Sequence, residues 1–358
     1  MFFGGTPAEA PFYAELATLE IEENLDLPGA ISFDLALSRT AEGQLPYVGD
    51  PRFAPYANIA VVAQAEGKPA QCIFDGYVLS HKVHLETGVV NSHVTVWGQD
   101  STVLMGLTET VKEWSDGSTD AVVANEVFQN YGFATAPANT DDDSPAYTED
   151  RHTLMQRGTD IAFLRRLARR TGKICRVACN GAPGARTGFF AKPALDGEPV
   201  ATLIVNDQQT ANVHALDFEW DVMRPTAAEG AQALFSDTDP VTDSESDGGL
   251  APLSATALAQ FAGRDTTVRL TAPVDDAGEL GMRLRSVLRD AGWFVRCTGE
   301  TEIGALGDVL RAGTVVQMGG LGDTYSGKYY VWSVRHTITA NSHVMKFVLV
   351  GNALGASS

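Results

Sequence analysis

The sequence predicts a β-rich α+β protein in which an antiparallel β-barrel occurs twice. Three observations carry that expectation. The first hundred residues alternate apolar and polar side chains between short turns, the signature of half-buried strands. Near residue 112 the apolar period changes to that of helices. The segments 57–98 and 312–351 resemble each other weakly but in order.

In chain order, Ala17–Glu22 (ATLEIE) and Ala30–Leu37 (AISFDLAL) read as strands joined by the turn residues Asn24–Gly29. Asn58–Gln64 follows, then Gln71–Leu85 and Val89–Trp97, so the region reads as an antiparallel sheet or barrel. Asp120–Tyr131 is a short helix stopped by Gly132. Asp160–Thr171 (DIAFLRRLARRT) is a stronger one, with Ile161, Leu164, Leu167 and Ala168 on one face and Gly172 at its end. Arg165, Arg166, Arg169 and Arg170 fill its later half, where the helix dipole favours cations. Strands resume at Cys175–Ala178, Val200–Val205 and Val213–Trp220. Residues 225–252 are rich in Ala, Asp, Ser and Gly, with six acidic residues and no basic one, and read as a long exposed loop or linker. Ser254–Ala262 and Asp276–Ala291 read as helices, and Trp293–Val350 as strands again.

The self-similarity sets Phe74-Asp75-Gly76, Ser80, His84 and Asn91-Ser92-His93-Val94 beside Tyr325-Ser326-Gly327, Ser333, His336 and Asn341-Ser342-His343-Val344. The offsets are 251, 253, 252 and 250, so only small gaps are needed. Phe74, Gly76, His93, Tyr325, Gly327 and His343 mark the repeat. If it is a duplication, each pair occupies equivalent places, and the chain offers two like surfaces to a partner of higher symmetry.

The chain has 358 residues, 26 Lys plus Arg and 45 Asp plus Glu, for a net charge of −19. So acidic a chain is a poor match for the phosphates of nucleic acid or for anionic membranes. No apolar run approaches the 18 residues or so that a membrane span needs, and the start, MFFGGTPAEAP, lacks the basic residues of a signal peptide. Four cysteines, Cys72, Cys175, Cys179 and Cys297, are too few for a disulfide scaffold and read as free thiols. No nucleophile elbow, phosphate loop, HExxH or dinucleotide fingerprint occurs. His84 with His93, and His336 with His343, are placed to meet across hairpins, but two imidazoles make no metal site without further ligands. Asp243-x-Glu245-x-Asp247-Gly248 opens like a calcium loop, yet Ser254 stands where a bidentate Glu is wanted. Neither a catalytic residue, nor a cofactor, nor a metal is expected.

Longer segments carry a family resemblance. Phe74–Val78 followed by Thr95–Asp100 and Leu104-Met105, the run His152–Ala168 (HTLMQRGTDIAFLRRLA), and Leu310–Val316 followed by Tyr325–His336 resemble, in this order, the late control protein D family of phage tails and the hub-like N-terminal part of VgrG spike proteins. The matches span about residues 15–353. The resemblance implies two tube-protein-like antiparallel β-barrels in one chain plus smaller α+β domains. These fall at 1–111 for the first barrel, 112–200 for an α+β domain with the basic helix, 201–224 plus 293–358 for the second barrel, and 225–292 for an acidic loop and helical insertion. It further implies a structural baseplate hub of a contractile phage-tail-like particle, assembled in the bacterial cytoplasm. The hub is a homotrimer whose six barrels meet the six-subunit inner tube protein on one side and a threefold spike protein, expected as a separate chain, on the other, beside the baseplate wedge components. The arginines 165, 166, 169 and 170 are a possible subunit contact, and the trimer's lumen is expected to be net negative. Two other classes fit less well, an envelope hydrolase fusion and a glycan-binding protein using its tryptophans. The first lacks a leftover segment for an active site, and the second has its five tryptophans spread along the chain.

Overall fold

The structure, a computed structural model, describes residues 1–37, 45–87, 91–149, 153–179, 181–232, 240–274 and 277–355. Five strands open the chain: β1 (Leu16–Asn24), β2 (Ala30–Ala36), β3 (Asn58–Ala63), β4 (Gln71–His84) and β5 (His93–Asp100). Alternation does what the sequence implies. Ile31, Phe33 and Leu35 of β2 all point inward and share one core with Leu19 and Ile21 of β1 and Val94 and Val96 of β5. The Asn24 side chain accepts from the amides of Asp26 and Leu27, which shapes the β1–β2 turn. The strands lie in the order β1-β2-β5-β4-β3, every pair antiparallel. The strand read from Val89 starts at His93; residues 88–90 are outside the described ones.

Helices α1 (Asp120–Asn130) and α2 (Asp160–Thr171) follow, with the hairpin β6 (Ile174–Cys179) and β7 (Arg186–Ala191). The Thr119 hydroxyl accepts from the Val122 amide and caps α1. Gly172 closes α2 in the left-handed conformation, at φ 63°. Phe128, Phe163, Leu164, Leu167 and Phe190 make a separate core beneath these elements.

Strands β8 (Thr202–Ile204) and β9 (Val213–Trp220) return to the main sheet. The stretch 225–252 is not a linker. It contains β10 (Ala227–Gln232) and β11 (Val241–Glu245), which with β12 (Thr267–Leu270) form a three-stranded sheet in the order β11-β10-β12 against α3 (Ala277–Ala291). Residues 233–239 lie outside the described ones. The cause is distant. Leu280, Leu284 and Leu288 of α3 bury themselves on Ala228 and Val274, at roughly 1.5–3 kcal/mol per leucine. A Cβ on Gly230 would stand 2.6 Å from the Leu280 side chain, so the small residues that resemble linker composition are what let the helix approach. The helix expected over 254–262 is confined to Leu258–Ala262, because Thr256–Ala257 pairs with Ala353–Leu354.

The chain ends in β13 (Val295–Glu302), β14 (Val315–Gly319), β15 (Gly327–Ile338) and β16 (His343–Gly351). Their order, with β9, is β9-β13-β16-β15-β14. β1 pairs with the far part of β15, and this joins everything into one 13-stranded sheet that also takes in β8, Phe2–Phe3 and Thr6–Pro7. Among the described residues the hydrogen-bonded path is open and no separately closed barrel forms. The architecture is mostly antiparallel β with few helices.

Candidate functional site

The functional features are those of a sheet built twice. The strand order β1-β2-β5-β4-β3 of the first half equals β9-β13-β16-β15-β14 of the second. Irregularities fall at matching places too. The β4–β5 register shifts between Val78 and Ser80, and the β15–β16 register between Val331 and Ser333. The β1–β2 register shifts between Leu16 and Thr18, and the β9–β13 register between Val213 and Leu216. Bulges fix register, so they give the true correspondence: Ser80 with Ser333, Trp97 with Val348, and Leu16 with Val213.

That correspondence corrects the markers of the repeat. Ser80 and Ser333 do correspond. Phe74 corresponds to Gly327, not to Tyr325, which sits in a helical turn before β15 with its ring 4.9 Å from that of Phe218. Gly76 and Gly327 are both required, for different reasons. A Cβ on Gly76 would stand 2.1 Å from the Gln99 carbonyl oxygen, whereas one on Gly327, at φ 154°, would stand 2.5 Å from the Ser254 hydroxyl. His93 corresponds to Val344, one residue past His343. In a strand one residue is one face. His93 therefore stands opposite His84 on the open side of the sheet, their rings 4.9 Å apart, while His343 turns toward the buried side.

There His343 belongs to the junction between the halves. His336, fully buried, has its Nδ1 3.0 Å from His343 Nε2 and its Nε2 3.3 Å from Glu23 Oε1. Arg311 donates to the same Glu23 oxygen at 2.6 Å. Burial alone raises the Glu23 carboxyl, but the Arg311 charge and the His336 hydrogen bond outweigh it and hold the group below the usual carboxylate range. Burial and the neighbouring His336 push the His343 imidazole down to about 4. On the open side Arg335 and Glu22 close the junction at 2.7 Å.

A second polar clamp ties the α+β region to both halves. Buried Asp75 of β4 accepts from Arg186 at 2.6 Å, from the Gly184 amide at 2.6 Å and from Asn58 at 2.9 Å. Arg186 also donates to the Tyr77 hydroxyl at 2.7 Å, and Arg311 to the Cys179 carbonyl at 3.2 Å. All four cysteines are free and buried, and burial pushes the Cys175 and Cys297 thiols up to about 12. Among the described residues no group of three or more His, Cys, Asp or Glu is placed to hold a metal ion.

The arginines of α2 divide. Arg170 pairs at 2.8 Å with buried Asp120, which also accepts from the Tyr147 hydroxyl. Arg166 and Arg169 are exposed and border a groove of about 610 Å³ with Arg283, Leu167, Leu270 and Val287. Arg165 is half-buried. The open face of the sheet interleaves both signs: besides Arg335–Glu22, Arg296 meets Glu219 at 3.7 Å and Lys346 meets Glu300 at 3.9 Å. Among the described residues, this geometry offers open strand edges, a face of mixed charge and an arginine-bordered groove.

Residues 18–340 match the family model of the Alg8 N-terminal domain. No curated protein matches the chain. Among solved structures, a tail protein from Neisseria meningitidis MC58 is similar with a TM-score of 0.66 at 13% identity, covering 97% of this chain and 94% of that one. The 43 kDa tail protein of prophage MuSo2 from Shewanella oneidensis reaches 0.64 at 15%, covering 98% and 96%. The E. coli c3393 protein, described as a component of the type VI secretion system with structural similarity to the T4 tail proteins gp27 and gp5, reaches 0.57 at 12%, covering 94% and 73%. At these identities the likeness is one of fold, and the fold is that of phage-tail and type VI secretion proteins.

Proposed function

The chain belongs to the family of the Alg8 N-terminal domain; from its twice-built sheet and its tail-protein fold we propose that it is a structural baseplate hub of a phage-tail-like contractile particle. One observation carries the reading: a single chain builds the same five-strand arrangement twice, with the same strand order and bulges at corresponding sites. Residues 1–111 form one tube-like unit, and 201–224 with 293–358 the other, while 112–200 and 225–292 buttress them. Three chains then present six such units. A six-subunit inner tube stacks on this ring, and a threefold spike protein sits beneath it. The chemistry is adaptation of symmetry, not catalysis, and the open face of the sheet lines a lumen of net negative charge. The arginine groove on α2 faces outward toward a neighbouring subunit or the baseplate wedge. The tail-protein fold of the similar structures supports this assignment.

A reconstruction of the assembled particle tests it. Three copies of the chain between tube and spike are expected, and one or six copies overturn the adaptor. A surface-potential map of the same ring tests the lumen, where a basic wall overturns its net negative charge.

A further inference from the structure

The two halves are alike except at their edges. In the second half, β15 pairs with β14 through Tyr330 and, beyond the bulge, offers residues 333–338 to β1. In the first half, β4 pairs with β3 through Tyr77, and beyond the bulge its corresponding stretch, residues 80–85, keeps β5 on one side and has no strand on the other among the described residues. Likewise β1 has strands on both sides, whereas its counterpart β9 ends the sheet among the described residues. Each chain thus carries one filled junction and the two separate parts of an unfilled one.

We propose that β9 of one copy pairs antiparallel with residues 80–85 of β4 in a second copy, repeating between chains the β1–β15 junction made within each. The register follows from the correspondence already fixed. Arg335 pairs with Glu22 inside the chain. Their counterparts are Lys82 and Glu219, so the ion pair recurs with the same polarity. By the same rule His84 faces Asp217, and Leu85 faces Leu216. Lys82 is exposed and makes no ion pair among the described residues. Apolar side chains at these edges are unusually open: Leu79 is 41% exposed, Leu85 49% and Trp220 48%. Trp332, the counterpart of Leu79, instead has its carbonyl bonded to the Leu25 amide and packs in a core with Leu25 and Trp293. An exposed strand edge with its own complement on the same molecule makes a head-to-tail contact, which closes into a ring when its rotation allows.

The inference deepens the hub reading and rests on it for closure at three copies. Lys82→Cys and Glu219→Cys in one full-length chain place thiols on directly opposed residues, within the reach of a disulfide. Oxidised particles carrying this double variant are expected to yield dimer and closed trimer on a non-reducing gel. Either single variant alone is expected to stay monomeric. Monomer alone from the double variant, in particles that hold three copies, overturns the strand contact and leaves the hub standing. A ladder from particles holding another copy number sustains the contact and overturns the hub. A ladder equally strong with Glu219→Cys paired to Glu66→Cys, on the loop between β3 and β4, overturns the proposed register.

Discussion

The first and second hairpins, β4–β5 and β15–β16, use nearly the same letters for different work. Asn-Ser-His-Val occurs in both, yet the first histidine lies against the His84 ring on the open face and the second is half-buried in a network with His336 and Glu23. A like exchange occurs in the strands beside them. In the first half Phe33 of β2 lies opposite Val96 of β5; in the second, the corresponding pair is Gly299 opposite Phe347. The aromatic ring fills the same layer from the other strand, and the glycine makes room for it: a Cβ on Gly299 would be 2.8 Å from the Phe347 ring. The lesson is that a duplicated sheet conserves layer volume and strand order while its residues are free to trade places, provided partners trade together.

Breaking that compensation has the largest expected effect. Phe347→Ala empties the layer and is expected to lower stability by about 3–5 kcal/mol, with Phe33→Ala in the same range, as read by denaturant unfolding. Equal midpoints for Phe347→Ala and the parent chain would contradict the exchange. At the junction, Glu23→Ala leaves Arg311 and His336 buried without their acceptor, at a cost of about 3–5 kcal/mol. The counterpart substitution for the charge pair at the free edge, Glu219→Ala, should change the isolated chain by less than about 0.5 kcal/mol, because the pair it belongs to is exposed. Gly299→Ala is expected to cost about 1–3 kcal/mol through crowding against Leu216 and Phe347.

The pH dependence sharpens the comparison of the two histidine pairs. His343 titrates near 4 when folded and near 6.5 when unfolded, so the unfolded chain binds more protons between those values. Stability contributed by the neutral imidazole is present above about pH 6.5 and is lost as pH falls toward 4. Unfolding midpoints measured across that window should fall in the parent and fall less in His343→Gln. An unchanged slope in the variant would place the titration elsewhere.

Much of the fold was legible because local signals agreed. The strand at Val213–Trp220 and the helix at Asp160–Thr171 have the bounds that alternation and Gly172 imply. The strands hidden in 225–252 were not, because their apolar cover comes from α3, some fifty residues on, and Gly230 serves that helix rather than a turn. The repeat was legible as letters but not as register. The loops joining the two hairpins differ in length, so the matching histidines slip by one and fall on opposite faces. The Glu23–Arg311–His336 cluster carries no sequence signal, since its members lie about 290 and 313 positions from the glutamate.

That separation sets a schedule for synthesis. At roughly 5–20 residues per second, β15 leaves the ribosome some 15–60 s after β1. A first half that folds within that interval presents an unpaired strand border, the kind of edge that can pair with another nascent chain. Glu20, Glu22 and Glu23 sit along that border. Until Arg335 and Arg311 emerge to neutralise two of them, like charges along such a border disfavour its pairing with a second copy of itself, so the acids that fasten the finished junction are also of the kind that protects an open edge.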